Sequence, residues 1–148
     1  MAHYHHILIA ADFSQHNQQV LEQAAMLASE HDAKLSICHI VEDYPLTDFA
    51  YEPIVQVDSE LQDMLLSAAK KQVAVLADKL NIAQAQQWVE FGNPRHDITS
   101  IAKEHQVDLI VLGSHGRHGW KLLLGSTAQA VLHQATCDVL AVRLKQDA

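Results

Sequence analysis

The chain is short of the residues that usually punctuate or brace a small protein. Five glycines and three prolines in 148 residues, with no internal repeat and no low-complexity stretch, leave no composition shift that marks a linker. The length suits one domain, residues 1–148, and can bury a complete core. Two cysteines, Cys38 and Cys137, are too few for a disulfide framework, and each lies in an apolar run, which predicts reduced core thiols. No apolar run approaches the roughly 20 residues that cross a bilayer, and the N-terminus lacks a basic segment followed by an apolar one, so the expected compartment is the cytoplasm. With a formal net charge of -8 and no basic stripe, general binding to nucleic-acid backbone is excluded.

One further absence is local. Although Asp and Glu outnumber Lys and Arg by 18 to 10, none occurs between Leu109 and Cys137. That gap contains Gly113, Ser114, His115, Gly116, Arg117, His118 and Gly119, then Lys121, then Gly125, Ser126 and Thr127. Glycines allow a backbone to present its N–H groups to a ligand, and a helix opening at Ser126 adds oriented donors. Such a loop suits a phosphate.

Periodicity supplies the elements. Strands are expected at 5–11, 34–41, 85–91, 109–112 and 139–144, the third more polar and so suited to an edge. Between them, helices are expected from an N-cap at Ser14, from Ser59 to about Asn81 with Leu61, Met64, Leu65, Ala68, Gln72, Val75 and Leu76 on one face, and from Asn93–Pro94 to about His105. A last helix begins at Ser126 or Thr127 and buries Ala128, Val131, Leu132 and Ala135. Residues 42–58, with Pro45 and Pro53, form a long loop. Alternation of strand and helix implies an α/β fold: a parallel sheet with right-handed crossovers and helices on both faces.

In such a sheet a ligand lies beyond the carboxyl ends of the strands where their order reverses, which sets Asp12 across from the Gly113 loop. Several nucleotide folds are excluded by position. The first loop, Ala10-Ala11-Asp12-Phe13-Ser14, has no glycine for a dinucleotide fingerprint and no Ser/Gly cluster for a flavodoxin or ATP-pyrophosphatase loop. Gly125 is not followed by the lysine of a P-loop, and no aspartate follows strand three as in a response regulator.

The residues that remain resemble the universal stress protein family, whose nucleotide-binding members carry G-x2-G-x9-G-[ST] after strand four. Gly113-Ser114-His115-Gly116 supplies the first part and Gly125-Ser126 the last, Asp12 stands at the end of strand one, and the resemblance covers the whole chain. It implies a single five-stranded parallel sheet of order 3-2-1-4-5, a Rossmann-like sandwich of the adenine nucleotide alpha hydrolase type. It also implies an adenine nucleotide (ATP, ADP or AMP, with or without Mg) held by Ala10, Asp12, Val41, Gly113, Ser114, His115, Gly116, Gly125, Ser126 and Thr127. In that set Val41 reads the adenine edge through its backbone. The pattern departs from the family's in one place: eight residues, 117–124, separate Gly116 from Gly125 instead of nine. That leaves open an alternative, a nucleotide-independent dimer of the A type.

Eleven histidines raise the question of a metal, but no H-x3-H pair with a carboxylate and no Cys-x2-Cys accompanies them, so no metal site is expected. No general base or paired acids stand beside the glycine loop, which predicts at most slow ATP hydrolysis and a regulatory role with an unidentified protein partner. The apolar segment 138–144 is expected at a sheet edge, where it would pair with a second copy into a homodimer.

Overall fold

The computed structural model describes residues 3–14, 17–42, 59–114 and 124–144. The elements run β1 (His6–Ala10), α1 (Asn17–His31), β2 (Lys34–Glu42), α2 (Ser59–Lys79), a 3-10 turn at Gln84–Gln86, β3 (Gln87–Gly92), α3 (Pro94–Glu104), β4 (Leu109–Gly113), α4 (Ser126–Gln134) and β5 (Asp138–Val142). All five strands are parallel, in the order β3-β2-β1-β4-β5, as expected. Residues alternate between two cores. Ile7, Ile9, Ile37 and Val111 pack against Val20, Leu21 and Ala24 of α1 and Val73 and Ala77 of α2. On the opposite face, Leu8, Cys38, Ile40 and Ile110 pack against Ile98 and Ile101 of α3 and Ala128 and Val131 of α4. The helices therefore cover both faces in pairs, and β1 and β4, buried on both sides, occupy the centre.

With so few glycines, the helices end on other residues. Asp32, Asn81 and Gln106 adopt left-handed backbone (φ 52°, 57° and 57°) just past α1, α2 and α3. The next amide in each case returns to the helix: Ala33 to the Ala28 carbonyl, Ile82 to Ala77 and Val107 to Ala102, at 2.9, 3.0 and 2.8 Å. Three Schellman-type closures thus feed an apolar residue into the core before the chain turns on. At the start of α3 the Asn93 side chain accepts the Arg95 amide (3.0 Å) and Asp97 accepts the Asn93 amide (2.8 Å), with Pro94 in the first turn. A Cβ on Gly92 would collide with that Asp97 carboxylate, which is why glycine precedes the cap.

Several expectations need correction. Ser14 meets α1 through its carbonyl, which accepts the Asn17 amide at 3.1 Å, and its hydroxyl has no partner among the described residues. In α2 the apolar face read from periodicity is the wrong one. Ala69, Val73 and Ala77 are buried, whereas Leu61, Leu65, Val75 and Met64 (68% exposed) face outward. Small residues at that seam let the helix lie close to the sheet, and of the expected apolar face Leu76 packs against the first core. Leu132 of α4 is likewise exposed. The last strand runs over Asp138–Val142 rather than to Leu144, which leaves the ladder and packs into the first core. Residues 43–58, read as a loop, lie outside the described residues. Cys38 is fully buried, its thiol pushed up to about 12 by burial first and by Glu90 second, and Cys137 is half-buried; both are free thiols.

Candidate functional site

The central strands end together. Pairing of β1 with β4 runs through Ile9–Val111, and counting three residues on from that pair brings Asp12 level with Ser114. Gly113 is still within β4, paired with Val142. Ser114 then joins three elements: its amide donates to the Val142 carbonyl (2.8 Å) and its carbonyl accepts the Gly125 amide (2.7 Å). The Ser114 N–H is therefore committed to β5, and only its hydroxyl remains for a ligand. Gly125 is the N-cap of α4 in ordinary extended backbone (φ -60°, ψ 155°) and makes no side-chain cap, so Ser126 and Thr127 fall in the first turn rather than at the cap. Their amides and that of Ala128 point out of the helix end, where no intrahelical acceptor exists. His115 and Gly116 lie outside the described residues, as do Arg117 and Lys121.

Asp12 and its neighbours form a braced turn. Asp12 Oδ1 accepts the Ser14 amide at 2.9 Å, leaving Oδ2 without a hydrogen-bond partner among the described residues. Phe13 takes left-handed backbone, φ 58°, a conformation that costs a non-glycine residue on the order of 1–2 kcal/mol. His39 of β2 holds it there: the imidazole Nδ1 lies 2.7 Å from the Ala11 carbonyl oxygen, and the ring packs on Phe13 at 4.0 Å between centroids and 32° between planes. Sequence reasoning passed over His39, whose one signal was a histidine in an otherwise apolar strand.

Strand β2 overhangs this turn. Its pairing with β1 stops at Ala10–Cys38, while its pairing with β3 continues to Glu42–Gly92. Two bonds, Lys34 N–H to the His5 carbonyl and Ala11 N–H to the Cys38 carbonyl, show that even-numbered residues of β2 direct their backbone groups toward β1. Past the end of β1, Ile40 and Glu42 keep that direction, and no backbone partner is found for them on that side among the described residues. Val41, the position expected to face a ligand, directs its backbone groups to β3 instead, because a one-residue shift along a strand reverses the edge it serves.

Three buried polar atoms have no hydrogen-bond partner among the described residues: Ser14 Oγ just past β1, Asn17 Nδ2 at the start of α1 and Ser114 Oγ just past β4. Asn17 opens α1 and is 5% exposed; Ser114 ends β4 and is 8% exposed. Asn17 was not anticipated from sequence, where it read as one polar residue among several before a helix.

The sequence and the fold match known proteins. The sequence profile described as the universal stress protein family matches residues 3–143. The chain belongs to that family. Universal stress protein A homolog 2 of Coxiella burnetii is 46% identical over 98% of this chain and 99% of its own length. Among solved structures, the universal stress protein UspA from Lactobacillus plantarum superposes with a TM-score of 0.76 at 27% identity, over 98% of this chain and 100% of that one. A universal stress protein crystallised in complex with cAMP shares the fold, with a TM-score of 0.62 at 22% identity over 96% and 98% of the two chains.

Proposed function

We propose that this universal stress protein binds an adenine nucleotide in the crevice between the carboxyl ends of β1 and β4, as a cytoplasmic dimeric regulator. The observation that carries the reading is that three polar atoms, at Ser14 and Asn17 after β1 and at Ser114 after β4, are buried without partners among the described residues. Each unsatisfied group costs about 1–3 kcal/mol, and a fold keeps such groups when a ligand or ordered water meets them. Asn17 Nδ2 is a donor and the serine hydroxyls can donate, so the ligand brings acceptors, as phosphate and ribose oxygens do. The first-turn amides of α4 at Ser126 and Thr127 add charge-assisted donors of about 1.5–3 kcal/mol each for a phosphate. The free Asp12 Oδ2 suits a ribose hydroxyl or a Mg ion on the phosphates. The outward backbone of Ile40 suits the adenine edge, beside the sequence-derived positions Ala10, Gly113, His115, Gly116 and Gly125. The cAMP complex of a relative with this fold supports the same ligand class.

Calorimetric titration of protein refolded from denaturant with ATP, ADP, AMP and cAMP, with and without Mg, tests the reading. Saturable binding at millimolar ligand or below is expected, weakened about tenfold or more by Gly116→Val, whose side chain blocks the approach of a phosphate. No heat with any nucleotide overturns the reading and favours the nucleotide-independent dimer, to which the shortened spacing and the committed Ser114 amide point.

A further inference from the structure

At the opposite end of the sheet lies a buried polar chain that nucleotide binding leaves unused. His6, 5% exposed, places Nδ1 3.1 Å from the His105 carbonyl oxygen and Nε2 2.6 Å from Ser36 Oγ. Ser36 Oγ in turn donates to Gln86 Oε1 at 2.9 Å in the amide orientation shown, and the amide's NH2 and oxygen exchange places by a half-turn. Trp88 stacks on His105 at 3.9 Å and 11° and meets the His6 ring edge-on at 6.2 Å, closing the cluster from β3.

Donor and acceptor counting gives this chain two complete states. A carbonyl oxygen only accepts, so His6 Nδ1 carries a proton in both. With His6 neutral, Nε2 is a bare acceptor, the Ser36 hydroxyl donates to it, and Gln86 must present its NH2 group to Ser36 Oγ. When Nε2 takes a proton from solvent, it donates to Ser36 Oγ instead, and the Ser36 hydroxyl turns to donate to the Gln86 carbonyl oxygen. Every bond is kept; one hydroxyl and one amide rotate.

We propose that His6, Ser36 and Gln86 form a proton-operated switch in which acidification reverses the direction of the hydrogen-bond chain and turns the Gln86 amide end for end. Gln86 also lines a cavity of about 580 Å³ beside α1 and α2, with Ala28, Leu35, Leu80, Ile82 and Lys34. The switch therefore reverses the amide of a residue that lines this cavity. The groups facing His6 set its bias. Burial opposes the charge most, Lys34 of β2 next and the His105 ring least, whereas the His105 carbonyl at Nδ1 favours it, as does Asp108, which accepts the His5 and His6 amides at 2.8 and 3.0 Å. Trp88 of β3 brings no charge. His6 thus titrates below its ordinary value of 6.5.

Long-range 1H–15N NMR of the full chain, with the His6 ring assigned by its loss in His6→Gln, tests the switch. The wild type is expected to show the Nδ1–H tautomer at pH 7, and the Gln86 side-chain NH2 signals are expected to step at the His6 midpoint. A carboxylate only accepts, so Gln86→Glu forces Ser36 to donate to it and His6 to carry the Nε2 proton; its midpoint should rise by about one pH unit or more, while Gln86→Leu leaves it low. An Nε2–H tautomer at pH 7, or Gln86 signals indifferent to the His6 titration, overturns the proposal even where a variant does not fold. Equal midpoints for the Glu and Leu variants overturn it too.

Discussion

Ser114 shows how a single residue separates stability from binding. Its hydroxyl is buried without a partner among the described residues, so Ser114→Ala removes an unsatisfied group and should raise the urea-unfolding free energy of the nucleotide-free protein by about 1 kcal/mol. The same change should weaken nucleotide binding several-fold by calorimetry. Opposite signs are the signature of a group kept for a ligand; a loss of stability without a loss of affinity would make the hydroxyl structural. His6 gives a second effect at this scale. Its folded pKa lies below 6.5, so the unfolded chain takes up the proton more readily. The His6 contribution is fully retained above pH 6.5 and is lost as pH falls from there through the folded value. Urea midpoints measured from pH 8 to pH 5 should decline across that window, and the decline should shrink in His6→Gln. The sequence placed Ser114 in the glycine loop but showed neither its burial nor that of His6, because burial and partners are properties of the surroundings.

Helix ends are where local sequence had most to say. Asn93–Pro94 read as a cap and first turn, and the Asn93 side chain does cap α3. The three left-handed closures at Asp32, Asn81 and Gln106 were less legible, since only Asn is a usual substitute for glycine there. Gln106 has no such aptitude, so Gln106→Gly should stabilise the protein by about 0.5–1 kcal/mol, with less gain for Asn81→Gly, in thermal or urea unfolding. The misread face of α2 has a physical origin too. Hydrophobicity ranks Leu61, Met64 and Leu65 above Ala69 and Ala77, but a helix lying over a sheet is seated by the small side chains that allow approach.

At the scale of the molecule, β5 is one edge of the sheet, and the proposed dimer uses that edge. The bond from Ser114 N–H to the Val142 carbonyl shows that Val142 directs its backbone inward to β4. By alternation Val139 and Ala141 direct theirs outward. A proline at Val142 would break the sheet itself, whereas Ala141→Pro removes an outward donor and leaves the β4 ladder intact. Light scattering should find Ala141→Pro monomeric and folded by circular dichroism; an unchanged dimer would place the interface elsewhere.

Element order, the two-sided burial of the central strands, the edge character of the third strand and the acid-free glycine loop were all determined by the sequence alone. Each depends on local periodicity, turn chemistry or composition, which act over a few neighbouring residues. The tertiary structure alone decided that the Val41 backbone pairs with β3 while that of Ile40 is directed to the β1 side, that the Ser114 amide is already engaged, and that Ser14, Asn17 and Ser114 each bury a polar atom without a partner among the described residues. It also decided that His6, Ser36 and Gln86 touch. Those facts arise from strand register and from contacts between residues distant in the chain, where a shift of one position reverses the direction of every group.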